Sequence, residues 1–188
     1  MIVGDPSVLA IESGIKQAYQ NLGLRAWGFF VIHVGGQRYG VFEPDATMMA
    51  VSFDEVGHRL RDRGQHTAPF ATEVDAARIA ESIEALYSDQ FEGKVIFGLP
   101  ESEFSELIYS NDLLWAPDGD EAFDDNSYIL QFDVQDQVRI VAFKRMEAGI
   151  EELRDVWLES DKYYEVLQQW SEAFQAEWES SPNKILVD

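Results

Sequence analysis

The stretch SYILQFDVQDQVRIVAFKR, residues 127–145, contains two apolar runs separated by a polar pair. Two runs rich in β-branched and aromatic residues, 127–134 and 137–145, flank the polar pair Gln135-Asp136, which is the pattern of a β-hairpin. The alternation within the second run predicts one buried face and one partly covered face. The two sets that alternate are Val138, Ile140, Ala142 and Arg139, Val141, Phe143.

A second hairpin is predicted at residues 25–42. RAWGFFVIHV, residues 25–34, is typical of a buried strand, Gly35-Gly36 of a turn that needs positive φ, and QRYGVF, residues 37–42, of a returning strand. The glycines do not fit the G-x-G-x-x-G spacing of a phosphate-binding loop. Residues 8–15 predict a further strand ahead of this hairpin.

Three segments carry helical periodicity. The capping-box pattern of Ser52-Phe53-Asp54-Glu55 predicts that a helix starts there and runs over 52–63. Apolar residues at steps of three and four predict a second helix over 73–88. A longer stripe predicts an amphipathic helical segment over 148–180, with Ser160-Asp161 as its candidate break.

Two remaining segments complete the expected architecture. Residues 94–99 predict a strand, whereas residues 102–110 fit a helix or a strand equally well. The sequence therefore predicts an α+β fold in which antiparallel hairpins near 25–42 and 127–145 are packed by helices. At this length we expect a single acidic domain over residues 1–188.

The charge of the chain is strongly negative. Asp and Glu number 35 against 14 Lys and Arg, and the formal net charge is -21. The first hundred residues have a net charge of -5, whereas the remaining 88 have -16. Such a surface repels nucleic acid and anionic membranes, so we expect neither as a partner, and it attracts a basic protein. The alternative is that the charge serves only to keep the chain in solution.

The N-terminal sequence and the lack of cysteine indicate the compartment. MIVGDPSVLAIES, residues 1–13, has no basic n-region and reaches Asp5 before an apolar core could form. The longest apolar runs, such as WGFFVI at 27–32, are far shorter than the roughly 20 residues that a membrane helix needs. Since there is also no cysteine, we expect a cytoplasmic protein without disulfides.

No catalytic motif is visible in the sequence. The nucleophile elbow, the H-E-x-x-H zinc motif and the Walker loop are all missing. The three histidines, His33, His58 and His66, have no spacing that predicts a metal site. Carboxylate pairs are so abundant that none of them indicates glycosidase chemistry. We therefore expect a protein that is not an enzyme, with no cofactor, no catalytic residue and no metal site.

The segment DGDEAFDDN, residues 118–126, has five carboxylates in nine positions and no base. It fails as an EF-hand loop, because positions 5, 6 and 12 counted from Asp118 are Ala122, Phe123 and Ile129. A solvated loop and weak calcium binding remain open. We predict an interface here, since aromatic residues within an acidic loop suit a partner surface. The candidate partner-binding residues are Trp115, Asp118, Asp120, Glu121, Phe123, Asp124 and Asp125.

Three stretches of the sequence resemble the immunity protein 42 family. They are MIVGDPSVLAIE at 1–12, WGFFVIHVGGQRYG at 27–40 and IVAFKR at 140–145. The most distinctive is the first, in which Gly4-Asp5-Pro6 leads into Ala10-Ile11-Glu12. These are scaffold motifs without a chemical role, so the resemblance transfers no catalytic residue.

The resemblance implies a cytosolic antidote to a bacterial polymorphic or contact-dependent toxin. Such a protein would neutralise its cognate toxin domain by stoichiometric inhibition. A basic, nuclease-type toxin is expected, because an anionic protein can occupy a phosphate-binding groove. Two alternatives remain: an acidic interaction or regulatory module without a toxin partner, and a carboxylate-dependent hydrolase. The sequence leaves the oligomeric state open.

Overall fold

The hairpin predicted at residues 127–145 forms the centre of one sheet. Strands β9 (Ser127–Val134) and β10 (Gln137–Met146) pair antiparallel around a turn in which Gln135 has a φ of 57°. Strands β8 (Leu114–Ala116) and β11 (Gly149–Glu159) flank this hairpin, and the strand order is β11-β10-β9-β8. β10 is buried on both faces. The face that was expected to be partly covered packs into a second apolar core. The computed structural model describes residues 1–87, 95–117 and 119–186.

The other predicted hairpin, at residues 25–42, belongs to a separate sheet, which we call the first sheet. The sheet that contains residues 127–145 is the second sheet. Its order is β1-β2-β3-β4, with β5 paired to the far end of β3. Gly35 and Gly36 form the predicted turn, with φ of 55° and 80°. The strand expected at residues 8–15 is β2, and a short strand precedes it. The five strands are β1 (Ile2–Asp5), β2 (Leu9–Ala18), β3 (Ala26–Val34), β4 (Gln37–Tyr39) and β5 (Thr47–Met48).

Four α-helices pack on these sheets within the part of the chain that the structure describes. The predicted helices at 52–63 and 73–88 are present, but the capping box at Ser52 is wrong. The first helix begins three residues earlier, so Ser52 lies inside it and its hydroxyl donates to Asp120 instead. The helices are α1 (Met49–Arg61), α2 (Ala76–Leu86), α3 (Glu101–Ser110) and α4 (Ser160–Ser180).

The segment between α2 and β8 differs in part from the prediction. In place of one strand over 94–99, the chain forms a small hairpin of β6 (Val95–Ile96) and β7 (Leu99–Pro100). The ambiguous segment 102–110 is helical and forms most of α3. The predicted ends at residues 88 and 94 lie outside the described residues.

The prediction of one helical segment over 148–180 is wrong in its first part. Gly149–Glu159 is strand β11, which pairs antiparallel with β10, and α4 begins at Ser160, where the candidate break was placed. Glu152 has a φ of 53° and lies at a bulge, which places Ile150 and Leu153 in the same core three positions apart. That step imitates a helical stripe.

The second sheet, formed by β8 (Leu114–Ala116), β9, β10 and β11, separates two apolar cores. The first core lies between the two sheets and is completed by α1 and α4. The second lies on the opposite face, beneath α2 and α3. None of the helices in the described part of the chain is long and apolar enough to cross a membrane.

Candidate functional site

The acidic segment is folded against the body of the protein. After β8 the chain forms a single 3-10 turn at Glu121–Phe123. The carboxylate of Asp120 caps this turn by accepting a hydrogen bond of 2.9 Å from the Ala122 amide. The same carboxylate accepts hydrogen bonds from the hydroxyls of Thr47 at 2.8 Å and Ser52 at 2.5 Å. Asp120 is only 7% exposed and therefore joins the segment to the start of α1.

The two aromatic candidates in this region are core residues. Trp115 and Phe123 are each 2% exposed. Phe123 packs edge-to-face on Phe30 of the first sheet, with ring centroids 6.1 Å apart, and Trp115 lies under the guanidinium of Arg59 at 5.1 Å. These two residues therefore offer almost no surface for the predicted partner contact, because they are buried within the fold.

Among the described acids of the segment, Glu121 and Asp124 are exposed, and Asp125 is partly accessible. The Asp125 carboxylate lies 3.0 Å from the Lys144 ammonium and accepts a hydrogen bond of 3.2 Å from the Gly40 amide. It is therefore partly neutralised, whereas Glu121 and Asp124 extend into solvent. Asp118 lies outside the described residues.

A second loop, residues 40–47, lies beside the acidic segment. The Val41 amide donates a hydrogen bond of 2.7 Å to the Ala122 carbonyl, so the two loops are held together. This loop adds Phe42, which is 45% exposed, and two exposed acids, Glu43 and Asp45. We call Glu43, Asp45, Glu121, Asp124 and Asp125 the acidic rim.

Asp45 has a cation of its own. Its carboxylate lies 2.6 Å from the Lys16 ammonium on β2, and this hydrogen bond and charge lower the pKa of Asp45 from its ordinary value. The returning strand predicted over residues 37–42 ends at Tyr39, so residues 40–42 belong to this loop, and residues 43–46 were not predicted to form a site. The available signal was FEPD at 42–45, where an aromatic residue and two acids surround a proline that interrupts the strand pattern.

Comparison with known proteins identifies the family. Residues 1–173 match the family described as Immunity protein 42. The chain belongs to the immunity protein 42 family. Toxin neutralisation is therefore its function at the level of the family. No curated protein sequence matches the chain at a significant level.

A solved structure shares the fold of this immunity protein. The crystal structure of CdiI from Burkholderia dolosa AUO158 aligns with a TM-score of 0.58 over 92% of this chain and 99% of that chain. The sequences are 15% identical, so the similarity concerns the fold.

This immunity protein carries a further acidic surface on α4. The apolar side of that helix, including Leu167 and Trp170, faces the first core. Its opposite side is exposed and carries more acids than bases. Exposed acids on α4 are Asp161, Glu165, Glu172 and Glu179.

The three histidines of the immunity protein occupy separate environments. His33 pairs with Glu12 at 2.9 Å, and His58 lies 3.8 Å from Glu55. His66 is buried, with its Nδ1 3.0 Å from the Asp112 carbonyl. Within the described ranges, no three His, Asp or Glu side chains come close enough to hold a metal ion.

Burial displaces the pKa of several tyrosines. Burial raises the pKa of Tyr39, Tyr163 and Tyr164 well above the ordinary value, and the charge of Asp133 adds to the effect at Tyr164. These hydroxyls remain protonated donors at neutral pH. Tyr163 donates to the Gln131 side chain at 2.5 Å and Tyr164 to Asp133 at 2.9 Å, which holds α4 against β9.

Proposed function

We propose that this chain acts in the cytoplasm of a toxin-producing bacterium, where it binds and neutralises the cognate toxin domain by forming a stoichiometric complex. The toxin would belong to a polymorphic or contact-dependent inhibition system. The proposal is supported by one combined observation: this chain belongs to the family, has a net charge of -21 and presents the acidic rim on exposed loops. Inhibition of this kind needs binding alone and no catalytic group.

The charge favours a basic toxin domain of the nuclease type. A nuclease binds the phosphates of its substrate with Lys and Arg, so its groove is positively charged. An acidic protein can occupy that groove, and attraction between the two surfaces accelerates their encounter. The same charge disfavours nucleic acid itself as a partner of this chain.

The predicted contacts of the acidic segment divide according to exposure. Glu121, Asp124 and Asp125 are candidates for partner contact because they are accessible, whereas Asp118, which lies outside the described residues, is a candidate on the sequence alone. Asp120 is excluded from this role by its hydrogen bonds to Thr47 and Ser52 within the fold.

The test uses the toxin domain encoded beside the gene for this chain. Titration of that domain with the purified chain is expected to abolish its activity at one chain per toxin domain, and co-expression is expected to restore growth. Failure to bind the domain and to rescue the cells would refute the proposal. If no toxin gene is adjacent, an interaction module without a toxin is favoured. Turnover of a small substrate, lost on changing one carboxylate, would favour a hydrolase.

A further inference from the structure

The first sheet has an outer side that faces away from both cores. Phe30 and Ile32 of β3 point into the first core. Since side chains alternate along a strand, Phe29, Val31 and His33 point to the opposite side. The helices α1 and α4 pack on the inner side, where Trp170 of α4 donates a hydrogen bond to Ser13 of β2.

Aromatic residues cluster on this outer side. The ring of Phe29 lies over Gly14 of β2, where an added Cβ would be only 2.5 Å from its Cε1 atom. Phe42 packs edge-to-face on Phe29 at 4.8 Å, and the guanidinium of Arg38 lies 4.3 Å from the Phe42 ring centroid. We call Phe29, Arg38 and Phe42 the aromatic platform. Phe42 keeps 45% of its surface exposed.

The aromatic platform and the acidic rim adjoin each other at Gly40. This residue has a φ of 109°, and a Cβ there would lie 3.0 Å from the Ala122 carbonyl oxygen and 3.2 Å from the Val31 side chain. One backbone position thus touches the acidic segment on one side and the outer side of the sheet on the other. Glu43 directly follows Phe42 in the chain, and Asp125 accepts a hydrogen bond from the Gly40 amide, so these two acids lie next to the platform.

We infer that the aromatic platform and the acidic rim form the docking surface for a positively charged face of a protein domain, with Phe42 as the main apolar contact. The inference deepens the proposed function and rests on it. Aromatic residues and arginine are enriched at the centres of protein interfaces, and truncating them has the largest effect on binding. Lys16 and Lys144 pair with two of the five acids, and Arg38 of the platform adds a third base. Five acids against three bases leave a net charge of -2, which is complementary to a basic partner.

The first experiment compares two exposed apolar residues. Phe42 and Met146 are each 45% exposed, but Met146 ends β10, a strand of the other sheet. Binding to the toxin domain encoded beside the gene is measured by titration calorimetry. Phe42→Ser is expected to weaken binding, raising the dissociation constant about ten- to hundred-fold. Met146→Ser should change the dissociation constant less than about two-fold. Urea unfolding of each variant checks that the fold is retained.

The second experiment compares two pairs of charge reversals that change the net charge equally. One variant combines Glu43→Lys and Asp124→Lys in the acidic rim, and the other combines Glu165→Lys and Glu172→Lys on α4. We expect the rim variant to bind at least about ten-fold more weakly than the α4 variant.

The outcomes separate the inference from the proposed function. If the wild-type chain does not bind the toxin domain, the proposed function fails and the docking surface with it. If the wild-type chain binds, but Phe42→Ser and the rim variant bind as well as their controls, the function stands and the docking surface is wrong.

Discussion

Asp120 and Asp124 lie in the same acidic segment, yet they have opposite environments. Asp120 is buried and accepts three hydrogen bonds from Thr47, Ser52 and Ala122. Asp124 is exposed at the end of the 3-10 turn. One carboxylate holds the segment in place, and the other is free to meet a partner.

Replacing Asp120 should therefore destabilise the fold. Asp120→Ala leaves two buried hydroxyls and one amide without their acceptor, and we expect it to lower the free energy of unfolding by about 2–4 kcal/mol. Asp124→Ala, the matched control, should change that free energy by less than about 0.5 kcal/mol. Urea denaturation followed by tryptophan fluorescence measures both. Equal effects of the two substitutions would contradict the assignment.

The sequence could indicate that this segment is unusual, but not which of its carboxylates are buried and which are exposed. Charge density and embedded aromatic residues marked residues 118–126 as unusual. Which carboxylate turns inward depends on Thr47 and Ser52, which lie about seventy positions earlier in the chain. The burial of Trp115 and Phe123 could not be predicted for the same reason, because they contact Arg59 and Phe30, which lie far away in the sequence.

A bulge explains why strand β11 was predicted as part of a helix. Beyond Glu152, Val156 and Leu158 face the first core, with Asp155, Trp157 and Glu159 on the other side, which is the two-residue period of a strand. The extra residue at the bulge converts the earlier part to a three-residue step. The two hairpins were predictable because their turns and β-branched runs are local in the sequence.

Hydrogen exchange can test β11 directly. In the described part of the chain β11 is at the edge of its sheet, so alternate amides over residues 154–158 bond to β10 and the others point away from it. We expect slow and fast exchange to alternate along these five positions in NMR spectra. Residues 163–167 of α4 serve as the control, where consecutive amides should all exchange slowly. Uniform protection over 154–158 would indicate a helix instead.

At the scale of the whole molecule, the negative charge is distributed over distinct surfaces. The acidic rim lies where the loops 40–47 and 119–125 meet, and the exposed side of α4 carries further acids. The sequence was sufficient to predict the α+β class, and its resemblance to the immunity protein 42 family predicted a toxin as the partner. It could not predict that an exposed phenylalanine from a separate loop adjoins the acids, because the contact between Gly40 and the acidic segment exists only in the folded chain.

We propose that this acidic chain captures a basic toxin domain through electrostatic attraction. The most direct measurement is the association rate constant with the adjacently encoded toxin domain, determined by stopped-flow fluorescence at increasing ionic strength. We predict that the rate constant falls at least about ten-fold between roughly 0.05 and 0.5 M salt, because salt screens long-range attraction. An association rate constant that stays the same over this range would contradict the claim.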